Sequence, residues 1–328
     1  MSEQIRRRPA EIGFGWQTRT ESEKPVIVIG AVNMDLSGTP AGDLRPGDSN
    51  PGRVTLSTGG VGRNIAENLR RLGRRVSLIT ITGDDHYGQM IREQCRELGI
   101  GMEMSLTDAR ERTSTYLCVN ESNGDLHTAV ADMAIYEKLT PDRLRPLLGR
   151  ISEAALVILD ANLPEETITF LAHEVKAPMA ADSVSAAKVL RLRNALPRLE
   201  LIKPNAAEAE LLTGTKIRTE KDLRRAAEML MMCGVKKVFI SLGERGVYAD
   251  DGKTRGTLPC VPGIIRNTTG CGDAFLAAAA DAWLEGLDVM ECARRALRAA
   301  AWCAADERAV SPTLSRAVVE MENNGKID

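Results

Sequence analysis

Apolar residues recur along the chain in two alternating rhythms. Short unbroken runs have the β-branched composition of strands buried on both faces, and Val26–Ala31 (VIVIGA) is the first. Between the runs, apolar residues fall at helical spacing. Ile65, Leu69 and Leu72 stand at i, i+4 and i+7 before Gly73, which predicts a helix with a glycine C-cap. The rhythm continues with strand 76–83, helix 88–99, strand 155–160, helix 165–175, a short strand around 178–183, strand 199–205, helix 221–234, and strands 236–243 and 246–251. The last third reads as two helices, 272–286 and 289–305. Strands alternating with helices predict an α/β fold, a mainly parallel sheet covered on both faces.

Two segments break the rhythm. Residues 34–58 are rich in Gly, Pro and Asp, and residues 112–133 alternate around the turn signal Asn123-Gly124. Both predict antiparallel strands, together a small lid over the carboxyl ends of the main strands, where open α/β folds bind ligands. Residues 1–24 read as a polar extension of residues 25–328, with charge but no apolar core of a secretory signal. No apolar run approaches the roughly 20 residues that span a bilayer.

Composition narrows the function. A net charge of -2 gives no electrostatic case for nucleic acid or an anionic membrane, and 3% aromatics leave little for base-stacking platforms. Seven cysteines without a CxxC and three well-separated histidines argue against a disulfide framework, a thiolate zinc site and a Ser-His-Asp hydrolase. Reduced thiols fit a cytoplasmic protein.

The candidate chemistry lies in the loops. NTTGCGDAF (Asn267–Phe275) sets one carboxylate behind a Gly-X-Gly at the mouth of an alanine-rich helix. Unpaired N–H groups and the helix dipole make such a turn an anion site. Asp273 there suits a base that takes a hydroxyl proton, with the amides of Gly270, Cys271 and Gly272 holding developing charge. The alternative is an acid that merely caps its helix. As a base, Asp273 is expected to be an ordinary carboxylate, with a pKa near 4.

In STGGVGRNIAENL (Ser57–Leu69), Gly59 and Gly60 would let a ligand lie on the backbone, and Asn64 offers donor and acceptor to a sugar hydroxyl; a tight turn is the alternative. Asn33 and Asp35 suit vicinal diols, or else an Asx-turn. In KPNAAEAE (Lys203–Glu210), Asn205 and Glu208 could hold a water shell around Mg²⁺, and fit a capping box equally. SLGERGV (Ser241–Val247) is a glycine turn between strands. A Walker A loop is absent, and no GxGxxG follows the first strand, which counts against an NAD(P) oxidoreductase.

With GGVGRN near the start, TTGCGDAF near the end, and KPNAAEAE and SLGERGV between them in order, the chain resembles the ribokinase-like (PfkB) carbohydrate kinases from about Val26 to Ala305. The resemblance implies a three-layer sandwich with a mainly parallel central sheet and a small β lid. It implies Mg²⁺-ATP as donor, Asp273 as base, and Gly270, Cys271 and Gly272 as anion hole. Asn205, Ser241, Gly243, Gly246, Thr268 and Thr269 would serve the nucleotide, Glu208 the Mg²⁺ through water, and Asn33, Asp35, Gly59, Gly60 and Asn64 the sugar. DSNPGRVTLSTGGVGRN, TSTYLCVNESNGDLHTAVADM and ADSVSAAK are similar to the pseudouridine kinases of that family. This implies transfer to the 5′-hydroxyl of pseudouridine, with Thr113, Ser114, Tyr116 and Asp132 reading the base from the lid and Lys188 and Asn162 reaching the site. A homodimer through the lid is implied as well. Cys271 stands where alanine is commoner, which would make the turn oxidisable. Asn267 stands where potassium-binding ribokinases often have Asp, which weakens the case for potassium. Another sugar or nucleoside kinase (ribose, uridine, inosine or a hexose derivative) and a non-catalytic nucleoside sensor remain as alternatives.

Overall fold

The computed structural model describes residues 24–321. All but the last residue of the polar extension, Phe14 and Trp16 included, lie outside the described residues. In chain order the strands are β1 (Val26–Ile29), β2 (Asn33–Pro40), β3 (Gly52–Gly59), β4 (Val76–Ile79), β5 (Ile81–Gly83), β6 (Leu106–Asp108), β7 (Thr115–Asn120), β8 (Leu126–Asp132), β9 (Leu156–Asp160), β10 (Met179–Asp182), β11 (Leu199–Ile202), β12 (Lys237–Ser241), β13 (Val247–Asp250) and β14 (Arg255–Leu258). The longer helices are α1 (Val61–Arg71), α2 (His86–Glu97), α3 (Glu165–Glu174), α4 (Ala206–Thr213), α5 (Glu220–Met232), α6 (Cys271–Leu284) and α7 (Val289–Ala304).

The large sheet runs β14-β13-β12-β11-β10-β9-β1-β4. It is parallel from β12 to β4, and β13 and β14 are antiparallel additions. The pleat sorts β1 by period two: Val26 and Val28 face a core built with α1, α6 and α7, and Ile27 and Ile29 face one built with α3 and α5. Both faces are therefore buried, as unbroken apolar runs require. The seven-residue run Ala274–Ala280 is buried throughout, and its five alanines let α6 lie close against α1 and α7.

The run 76–83, expected as one strand, is two. β4 pairs with β1 in the large sheet, and β5 pairs with β6. The break falls at buried Thr80, whose amide bonds Ser105 Oγ and whose carbonyl accepts from Leu106 N. Strand β14 is also additional to the expectation.

A second sheet, β3-β2-β7-β8, stands apart; β2 is antiparallel to β3 and parallel to β7, and β7 and β8 form the hairpin. Its two faces differ. One carries Asp35, Ser37, Tyr116 and Asn120. The other carries Leu56, Leu36, Leu117 and Val130 as one cross-strand row.

Candidate active site

Parallel strands deliver their carboxyl ends to one edge. Asp160 and Asp182 end β9 and β10 side by side, Lys203 follows β11, and the turn from Gly30 to Asn33 follows β1. The mouth of α6 supplies the opposite wall. Gly270 is its N-cap at φ 83°, and a Cβ there would stand 1.9 Å from the Ala309 carbonyl oxygen, so geometry and space both demand glycine. Asp273 lies in the first turn, 8% exposed.

Asn64 Nδ2 donates to Asp273 Oδ2 at 2.8 Å. Lys203 Nζ lies 3.9 Å from Asp182 Oδ2 and would be 3.1 Å from a Cβ on Gly272, so an ammonium stands directly over the turn. The Asp273 carboxyl is pushed up to about 8, by burial first and then by the charge of Asp182; the Asn64 bond and Lys203 pull it back only in part. This corrects the expectation of an ordinary carboxylate: low dielectric and a neighbouring acid both disfavour a second negative charge. Burial raises Asp182 too, with Lys203 opposing. Val184 takes the left-handed conformation (φ 62°), costly for a β-branched residue, and its amide donates to Asp182 Oδ1 at 2.7 Å.

The acceptor side is built on β1 and α1. Asn33 Nδ2 donates to Asp35 Oδ1 in a short bond, and a Cβ on Gly59 would collide with the Asp35 carboxylate. Gly60 has φ 98° and leaves no room for a Cβ against Ala31 and Val32. Burial raises Asp35 to about 6, against the Asn33 bond and the charge of Arg63. Tyr116 is opposite Asp35 in the lid register. Asp160 Oδ2 accepts from Ala31 N at 2.7 Å and its Oδ1 from Asn162 N at 2.9 Å, while Lys188 Nζ donates to Asn162 Oδ1 at 2.6 Å. Buried Tyr136 accepts from Val32 N at 2.7 Å, fixing the turn before Asn33.

Beside the α6 mouth lies a cleft of about 670 Å³. Ser241, Gly243, Gly246 and Thr268 line it together with Cys271 and Gly272, and its remaining wall is largely apolar, including Val261, Ile264, Leu297 and Ala304. Lys203 lies at the junction of this cleft and Asp273. Thr269 is exposed, and its amide bonds Asn267 Oδ1 at 2.9 Å; Asn267 Nδ2 reaches the Glu307 carbonyl at 3.0 Å. The Asn267 amide thus ties two loops together. Cys271 Sγ donates to the Asn267 carbonyl at 3.8 Å, and buried Cys303 Sγ donates to the Ala309 carbonyl at 3.2 Å.

Other expected residues are placed differently. Asn205 and Glu208 form the complete capping box of α4, and Glu208 Oε2 also accepts from Ser183 Oγ at 2.6 Å, so one carboxylate oxygen is committed to the fold. Thr113 and Ser114 are buried just before β7, short of the lid face. Thr113 Oγ1 donates to Asp85 at 2.6 Å and accepts from Gly83 N at 3.0 Å, which leaves its hydroxyl little capacity for a base. Asp132 is exposed at the end of the outer strand β8. Lys203, Asp160 and Asp182 were not singled out in the sequence. The available signal was position: each is a charged residue at the carboxyl end of a buried strand.

The family model described as pfkB family carbohydrate kinase matches residues 23–316. The chain is similar to a pseudouridine kinase of Escherichia coli (strain K12), 33% identical over 92% of this chain and 97% of that protein. An uncharacterised sugar kinase of the same organism, YeiI, is 33% identical over 88% of this chain and 80% of that protein. Among solved structures, the Arabidopsis thaliana ribokinase complexed with ribose and ATP superposes with a TM-score of 0.83 at 23% identity, covering 92% of this chain and 100% of that one. The fold is accordingly ribokinase-like.

Proposed function

The chain belongs to the pfkB family of carbohydrate kinases, and on that premise we propose that it transfers the γ-phosphoryl group of ATP to the 5′-hydroxyl of pseudouridine. The observation that carries the reading is the buried Asp273 held by Asn64 at a glycine-rich helix mouth, between an apolar cleft and the Asn33–Asp35 turn. The cleft takes the nucleotide, its base against Val261, Ile264 and Leu297, its phosphates toward Lys203 and the turn. Asn33, Asp35 and Asn64 hold the ribose. Asp273 receives the proton of the attacking hydroxyl, and the amides of Gly270–Gly272 with Lys203 neutralise the migrating group. A carboxyl near 8 is a stronger base than a free aspartate and suits a proton transfer close to neutral pH.

Mg²⁺ fits the chemistry of the site through the second oxygen of Glu208 and water; when bound it supplies charge neutralisation on the nucleotide phosphates. Potassium finds little support, because Asn267 is neutral and its amide is engaged on both sides. The polar lid face with Tyr116, Ser37 and Asn120 supports an acceptor that carries a base. The apolar row on the other face supports a homodimer that covers it. No helix among the described residues is long and apolar enough to cross a membrane, and seven free cysteines support a reducing cytoplasmic setting.

The second reading is a kinase for another sugar or nucleoside, favoured by the equal identity to the uncharacterised sugar kinase. Incubation with ATP and, in turn, pseudouridine, uridine, inosine and ribose, read by the mass of the phosphorylated product, separates the two. Pseudouridine is expected to be the preferred acceptor; no product from it, with product from another acceptor, ends the narrower reading.

A further inference from the structure

Arg63 stands in the first turn of α1, where the helix dipole disfavours a cation, and it is almost wholly buried. Stability alone would place an acid or a neutral residue there, and a buried ion pair is often no better than an apolar replacement. Its carboxylate partner Glu67 (2.5 Å) is shared with Arg71. The other guanidinium contacts point to the site. Arg63 Nη1 donates to Asn64 Oδ1 at 3.3 Å, and Nη2 to Gln94 Oε1 at 3.1 Å. Gln94 Oε1 also accepts from Thr58 Oγ1, one residue before Gly59 at the end of lid strand β3.

An amide can face a carboxylate with its oxygen or its NH₂, and only the NH₂ donates. Asn64 has its oxygen toward Arg63 and its NH₂ toward Asp273. The positive charge of Arg63 also acts on Asp35. We propose that Arg63 is a positioning residue: it locks the Asn64 amide with the NH₂ toward Asp273, and through Gln94 ties that amide to the lid strand. This deepens the kinase reading and rests on it.

The test is a double-mutant cycle on the full chain, Arg63→Gln crossed with Asn64→Ala, in the ATP-dependent assay with whichever acceptor the wild type uses. Arg63→Gln is expected to lower kcat roughly 30-fold, as loss of orientation does, with KM for ATP within about twofold of wild type. On the Asn64→Ala background the same change is expected to cost less than about threefold, because the group it orients is gone. Losses that multiply in full overturn the proposal, as does an unchanged kcat in Arg63→Gln. A merely structural role would give multiplied losses alongside a lowered melting temperature. If Arg63→Gln does not fold, Arg63→Lys, which keeps a charge for Glu67 but cannot reach Asn64 and Gln94 together, carries the same cycle. Wild-type protein that turns over no acceptor sinks the kinase reading and this inference with it; wild-type turnover with independent losses sinks this inference alone.

Discussion

Asn64 and Asp273 are 209 positions apart in the chain and 2.8 Å apart in the fold. The bond joins the first turn of α1 to the first turn of α6, so two helix mouths that follow two different glycine turns share one carboxylate. That convergence gives a buried acid a defined orientation.

Replacing that acid tests the assignment of the base. Asp273→Asn keeps the shape of the side chain, so nucleoside and nucleotide affinities by calorimetry should remain near wild type. Turnover is expected to fall by about three decades, equivalent to about 4 kcal/mol of barrier. Near-normal kcat in this variant would show that another group takes the proton.

The raised Asp273 carboxyl predicts a pH dependence. With Asp273 as the proposed base, activity would need its carboxylate, so kcat/KM should climb as pH rises through about 8. Stability runs the other way. Unfolded, the group titrates near 3.8 and native near 8, so between these values the native state holds the extra proton and stability falls as pH rises. Urea midpoints across that window should decline more steeply in wild type than in Asp273→Asn; equal slopes would contradict the shift.

Lys203 stands between the cleft and Asp273. Lys203→Met should raise KM for ATP roughly tenfold and lower kcat by about 10², in line with loss of one charge-stabilising donor. Acceptor affinity should change little. It also leaves Asp182 buried without its cation, so a lower melting temperature should accompany the kinetic change. An unaltered KM for ATP would place Lys203 outside nucleotide binding.

Gly270 is constrained twice, by φ 83° and by the Ala309 carbonyl. Gly270→Ala is expected to cost about 1–3 kcal/mol in denaturant unfolding from backbone strain alone, and displacing the turn should remove most turnover. Gly243 also has positive φ but nothing within 4 Å of an added Cβ, so Gly243→Ala should be the milder substitution.

The apolar lid row predicts self-association. Leu56, Leu117 and Val130 are 48%, 45% and 64% exposed, a cost that burial against a second copy would remove. Leu117→Glu should move the protein from dimer to monomer in analytical ultracentrifugation. A wild type that sediments as a monomer at micromolar concentration rules the lid dimer out.

Much of the body was legible because its signals are local. The β-branched runs, the i, i+4, i+7 spacing of Ile65, Leu69 and Leu72 and the Asn123-Gly124 hairpin each depend on residues close in sequence. The same holds for the turn at Gly270, whose glycines and acid are adjacent. The break at Thr80 was not legible, since it depends on Ser105 and Leu106. Nor was the work of Thr113, a hydroxyl committed to Asp85 rather than free at the lid.

By itself the sequence determined the alternation of strands and helices, the glycine turns and the residue types at their tips, because backbone geometry and hydrophobic periodicity act over a few residues. Tertiary structure alone decided which tips meet. It brought Asp182 and Lys203 beside Asp273, turned Asn64 toward it and sealed the group from water. The pKa of Asp273 was settled at that stage, since desolvation and through-space charge depend on what surrounds a carboxyl and not on its neighbours along the chain.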